Sequence, residues 1–107
     1  MTPESTALSK TKLLGRRGQS MEKQLVVTNA TQRLMLVFTE PEAQDYWLRP
    51  GESLEVRAEI ESLNDDFELE DTRDGVTVWP SDGMGYISTW VGDIELECGY
   101  QRPAGWA

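Results

Sequence analysis

Residues 45–61 read DYWLRPGESLEVRAEIE, and the rhythm after Pro50-Gly51 decides the class of fold. From residue 54 onward Leu54, Val56, Ala58 and Ile60 alternate with Glu55, Arg57, Glu59 and Glu61. A period of two belongs to an extended chain with one face in a core and the other in water. A helix would place its apolar residues three and four apart. Pro50-Gly51 is a type II turn signal: Pro presets φ at the second turn position, and Gly accepts positive φ at the third. The stretch therefore predicts a tight turn feeding a half-buried strand over Ser53–Glu61.

The same reading extends in both directions. Leu25 to Thr28 is short and β-branched, and Asn29-Ala30-Thr31-Gln32 after it predicts a hairpin turn. Arg33 to Thr39 is apolar on both sides, with Leu34, Leu36 and Phe38 on the expected core side and Met35 and Val37 on the other. Such a strand is expected to be central and covered twice. Pro41 ends it, and Tyr46 to Arg49 follows. Beyond Asn64-Asp65-Asp66, Phe67 to Asp71 alternates again, and Thr72-Arg73-Asp74-Gly75 turns into Val76 to Trp79. Gly85 to Val91 and Ile94 to Cys98 form a last predicted hairpin around Gly92-Asp93. About eight short strands with turn signals between them, and no convincing helix, predict an all-β chain. The expected form is a small antiparallel β-sandwich of cupredoxin-like outline without a metal site. Strand order, sandwich against barrel, stays open.

Residues 1–21 are polar and basic and are expected to be a flexible arm ahead of a domain over residues 22–107. Leu8, Leu13 and Leu14 give that arm at most a short helical turn, and Met21 is an alternative start. The chain of 107 residues carries a net charge of −9, unevenly distributed. Residues 1–23 hold five bases and two acids, and the remainder holds five bases and seventeen acids. An acidic body repels phosphate backbones, so nucleic acid is not an expected partner, whereas a basic protein is compatible. No apolar run approaches the ~18 residues that span a bilayer, so no membrane segment is expected. One cysteine and no secretory leader point to the cytoplasm.

The absence of histidine and the single cysteine bound the chemistry. Blue copper, structural zinc and Ser-His triads all need residues this chain lacks. Asp65, Asp66, Asp71 and Asp74 do not have the spacing of an EF-hand loop. No cofactor, no metal and no enzymatic activity are expected. Cys98, in phase with Ile94 and Leu96, reads as a buried, inert thiol. Glu55, Glu59 and Glu61, with Glu68 and Glu70 if the two strands pair, read first as a solvated face that discourages edge aggregation. A patch for a cation or a basic partner is the functional alternative, with Arg57 the single base among the acids. The aromatic surplus is the stronger signal. Trp47, Trp79 and Trp90, with Met35 and Val37, are expected on the face away from the main core. That face is either covered by the arm, by the tail with Trp106 or by a loop, or it is open as a binding surface.

Three segments also carry a family resemblance: NATQRLMLVFTEP (29–41), YWLRPGESLEV (46–56) and ELECGYQRP (95–103). Together they resemble a group of small, acidic bacterial β-sandwich proteins of unknown function. In that group an Asn-turn hairpin leads to Glu-Pro, then to Tyr-x-Leu-x-Pro-Gly-Glu, and the chain closes on Leu-Glu-Cys-Gly. The resemblance spans residues 25–103. Glu42-Ala43 stands where the group commonly has Trp-Gly, and Tyr100 where it has His. The resemblance implies the fold and brings no established activity. The expected function is a non-catalytic cytoplasmic interaction module with a basic protein partner, of immunity or inhibitor type. The alternative is a carbohydrate-binding module with a tryptophan platform.

Overall fold

The computed structural model of the chain describes residues 7–17 and 20–106. The described residues form nine strands and no helix, arranged in two sheets. The first sheet runs β1 (Ala7–Arg17), β2 (Ser20–Asn29), β5 (Ser53–Ile60), β8 (Ser88–Val91), β9 (Ile94–Glu95), every neighbour antiparallel. The second runs β4 (Gln44–Leu48), β3 (Met35–Thr39), β7 (Gly75–Trp79), β6 (Glu68–Asp71).

The alternation read in β5 is realised residue for residue. Leu54, Val56, Ala58 and Ile60 are buried, and the four residues between and after them are not. Leu25, Val27, Leu54 and Val56 of the first sheet meet Met35, Val37, Tyr46, Leu48, Val76 and Val78 of the second in one core. Burying each such side chain contributes about 1.5–3 kcal/mol relative to leaving it in water. The Pro50-Gly51 turn closes with Glu52 N–H donating to the Arg49 carbonyl at 3.0 Å, Gly51 having φ of 83°. The β6–β7 and β8–β9 hairpins form as expected, with Asp71 opposite Val76 and Val91 opposite Ile94.

Several expectations are corrected. The sandwich is not wholly antiparallel, because β3 and β7 pair in parallel. Three strands intervene between them, which gives the chain length to return in the same direction. The turn after Asn29 is not a hairpin turn: β2 and β3 lie in different sheets, so it carries the chain across the sandwich. Asn29 is fully buried there. Its Nδ2 donates to the Arg33 and Leu48 carbonyls, and its Oδ1 accepts from Thr31 N–H. Its N–H donates to the Glu52 carbonyl and its carbonyl accepts from Gly51 N–H, at 2.9 Å each, so one residue joins both inter-sheet crossings through its side chain and backbone. Over Ala7–Arg17, where an arm with at most a helical turn was expected, the backbone is β1, paired with β2, and Met21 lies inside β2. The remainder of the N-terminal segment lies outside the described residues.

The faces of β3 are also the reverse of expectation. Met35 and Val37 point into the core, and Leu36 and Phe38 point to the outer side of the second sheet. With apolar residues on both sides, alternation carries no information about which side faces inward. The two carboxylate rows do not adjoin either. Glu55 and Glu59 belong to the first sheet, and Glu68 and Glu70 to the second.

Candidate functional site

The five residues expected to share a surface are divided among three places. Met35 and Val37 are in the core, at 2% and 0% exposure. Trp90 stands on the outer face of the first sheet, opposite Glu55. The Arg57 guanidinium stacks over its ring at 4.6 Å and bonds Glu55 at 2.9 Å, so Arg57 is engaged rather than isolated among acids. Trp47 and Trp79 do share the outer face of the second sheet, but only Trp79 is open.

Trp47 is covered by the tail, through a clasp built on Asp45. Gly99 N–H donates to the Asp45 carbonyl, and Trp47 N–H to the Tyr100 carbonyl, so the tail runs along the edge of β4. Above that edge the buried Asp45 carboxylate accepts from Trp47 Nε1 at 2.9 Å. It also accepts from both arms of the Arg102 fork at 2.8 and 2.6 Å, and from Cys98 Sγ at 3.3 Å. Trp106 then sets its edge against Trp47, centroids 5.4 Å apart at 75°. Cys98 is thus exposed and tied to the clasp, contrary to the expectation of a buried thiol, because β9 ends at Glu95 and the strand phase stops there.

The Arg102 fork, with further bonds from Trp47 and Cys98, outweighs burial and holds the Asp45 carboxyl well below the usual carboxylate range. A depressed folded pKa means that the stabilisation is complete above the ordinary aspartate value of 3.8 and is lost as pH falls from there toward the folded value. Urea midpoints between pH 6 and pH 2.5 should therefore fall more steeply for the native chain than for Asp45→Asn. Parallel curves would show that the clasp does not form in solution.

The open feature lies where β7 ends. Val76 and Val78 point inward, which turns Trp79 outward, and Pro80 stops the strand. The following loop is held in shape. Met84 N–H donates to the Ser81 carbonyl at 3.0 Å, and Gly85 N–H to the Glu59 carbonyl at 2.9 Å at the end of β5. Asp65 braces it from the side, accepting from Ser81 Oγ at 3.4 Å and from Glu61 and Ser62 N–H at 3.0 and 3.1 Å. Those backbone donors hold its carboxyl below the ordinary range. Between this loop and the β3–β4 turn is a cleft of about 480 Å³, lined by Pro41, Glu42, Trp79, Pro80, Asp82, Met84 and Tyr86 among others. Trp79 is 39% exposed and Tyr86 is 86% exposed.

The chain matches no family model, no curated protein and no solved structure.

The case for a site therefore rests on its geometry. Among the described residues no three Cys, Asp or Glu side chains gather as a metal ion would require. No described helix is long and apolar enough to cross a membrane. The cleft gathers two exposed aromatic side chains, two prolines and Met84 with the carboxylates of Glu42 and Asp82 in one lining, an arrangement that suits binding. Trp79 was legible as out of phase with Val76 and Val78. Tyr86 was missed, although its place in a loop directly after Gly85, in MGYI, gives an aromatic side chain little core to enter. Asp45 was missed because its partners lie more than fifty residues away.

Proposed function

We propose that the chain is a non-catalytic interaction module that engages a basic protein partner through the Trp79–Tyr86 cleft. The observation that carries this reading is the exposure of two large aromatic side chains, Trp79 at the end of β7 and Tyr86 on the loop after it, beside Met84 and two prolines, with that loop tied to Glu59 and Asp65. Tryptophan and tyrosine are the side chains that most often anchor interfaces, since they supply wide contact area with few rotors to freeze. Ordering the loop beforehand lowers the entropy lost on association. The net charge of −9 favours a partner of opposite sign. A cytoplasmic inhibitor that caps a basic protein is the specific form this takes.

The test uses the tagged full chain with Tyr86→Ala and Trp79→Ala as variants. A basic protein, identified and retained at low salt by the native chain, should bind each variant about 30-fold more weakly, the effect of losing an interface anchor. Tyr86 is almost wholly exposed, so its removal should leave the thermal melt unchanged. Equal retention by native chain and both variants would exclude the cleft.

The carbohydrate reading, built on Trp47, Trp79 and Trp90, keeps Trp79, with Tyr86 now beside it, but loses Trp47 to the tail and Trp90 to Arg57. A saturable shift of Trp79 fluorescence with oligosaccharides, without a protein partner, would bring it to the front.

A further inference from the structure

The cleft does not stand alone. A second depression, of about 470 Å³, shares Asp82, Met84 and Gly85 with it and reaches Glu59 and Glu61 at the end of β5. A third, of about 320 Å³, shares Glu59 with the second and Tyr86 with the first, and adds Glu22. The three adjoin one another, sharing wall residues, from the outer face of the second sheet, around the β7–β8 loop, to the first sheet, and together outline a groove. Five carboxylates line it: Glu22, Glu42, Glu59, Glu61 and Asp82. None of the five forms an ion pair with a described residue, and the one base among the described lining residues, Arg57, is already committed to Glu55 and Trp90. Among the described residues, the aromatic end of the groove has no base in its lining.

Aromatic faces bordered by unpaired carboxylates select a particular ligand chemistry. A guanidinium can lie flat on an indole or phenol ring, attracted by its electron-rich face, while its edge N–H groups reach carboxylate oxygens. A neutral apolar side chain would use the rings and leave the carboxylates idle. An anionic one would be repelled by all five. Resting on the interaction reading above, we propose that the groove receives an extended, arginine-bearing segment of the partner. One guanidinium lies against Trp79 and Tyr86 between Glu42 and Asp82, and further basic residues of the segment follow the carboxylates toward Glu59 and Glu61. The chain itself shows the same chemistry on the neighbouring face, where Arg57 sits between the Trp90 ring and the Glu55 carboxylate.

The experiment uses a capped, labelled proline-spaced peptide carrying two arginines, and the same peptide with citrulline in their place. Citrulline keeps the shape and the planar group and removes the charge. Binding to the full chain is followed by anisotropy and by the indole N–H resonance of Trp79. The arginine peptide should bind about ten-fold more tightly than the citrulline peptide. It should shift the Trp79 indole signal, weaken steadily with added salt and lose its advantage in the Glu42→Gln, Asp82→Asn double variant. Both positions are exposed, so that variant should fold normally. Equal affinity for the two peptides, or arginine binding that leaves the Trp79 signal unmoved, overturns the proposal even where a protein partner is lost with Tyr86→Ala. Loss of that partner tests the interaction reading separately.

Discussion

Gly75→Ala is expected to unfold the protein or to destabilise it by at least about 3 kcal/mol, the range of severe core overpacking. Gly75 opens β7 and lies beside Leu36 of β3 in the parallel pair at the centre of the second sheet. A β-carbon there would overlap the Leu36 carbonyl oxygen and stand 2.8 Å from its carbonyl carbon and amide nitrogen. All three are backbone atoms in a paired strand, so no rotamer change relieves the overlap. The strands would have to part, losing the Leu36 N–H bond to the Asp74 carbonyl at 2.8 Å. Gly83→Ala is the control. Its β-carbon would meet the Asp65 carboxylate at 2.7 Å, the end of a side chain that can turn aside at the cost of its bonds from Glu61, Ser62 and Ser81, whereas no backbone need part. Gly51→Ala meets open space and suffers only the positive φ of 83°, a cost of about 1–2 kcal/mol. Denaturant midpoints should rank Gly75→Ala worst by a clear margin. A Gly75→Ala chain within 1 kcal/mol of the native one would contradict the parallel β3–β7 pairing.

Trp47→Ala carries the second large effect, a loss of about 3–5 kcal/mol on the scale of buried aromatic truncations. Trp47 is 5% exposed, between β4 and the tail. Its removal takes away the surface against which Trp106 rests and one of the donors to Asp45. The tail should then be released as a unit, with Trp106 emission shifting to the red before global unfolding. Trp47→Phe should recover most of the packing but not the indole hydrogen bond. Since the ring, the carboxylate and the tail act together, Trp47→Ala combined with Asp45→Ala should cost clearly less than the two changes added. Additive losses would mean that tail and sheet are held independently. With total stabilities of small domains at about 5–15 kcal/mol, either change takes a large share.

These effects separate two jobs on one sheet face. Near β4 the outer face is closed by the tail, through Trp106, Arg102 and Asp45. Near the end of β7 it emerges as Trp79 and continues into the braced loop that carries Tyr86. Core variants should therefore alter melting and leave partner affinity per folded molecule unchanged, whereas Tyr86→Ala should do the opposite.

What the sequence determined by itself is local. The inward and outward residues of β5 follow from alternation, because successive side chains of an extended chain point to opposite sides whatever the strand pairs with. The type II turn at Pro50-Gly51 and the hairpin at Gly92-Asp93 follow from the positive φ that glycine accepts, and the hairpin after Asp71 is marked by its run of turn-forming residues. The all-β class follows from those two signals together. Other features depend on residues far apart in the chain. These include which side of β3 faces inward, the parallel seating of β7 on β3, and the separation of the two acidic rows into different sheets. The same holds for Asp45, an acid beside three large apolar residues, whose meaning lies in Arg102 and Cys98. Trp79 was readable as facing away from the core, but that it stays open while Trp47 is closed was decided by where the tail ends its path. Side-chain alternation and turn geometry are properties of neighbouring peptide units. Burial and pairing are set by distant strands competing for the same surface, and no short stretch records the outcome.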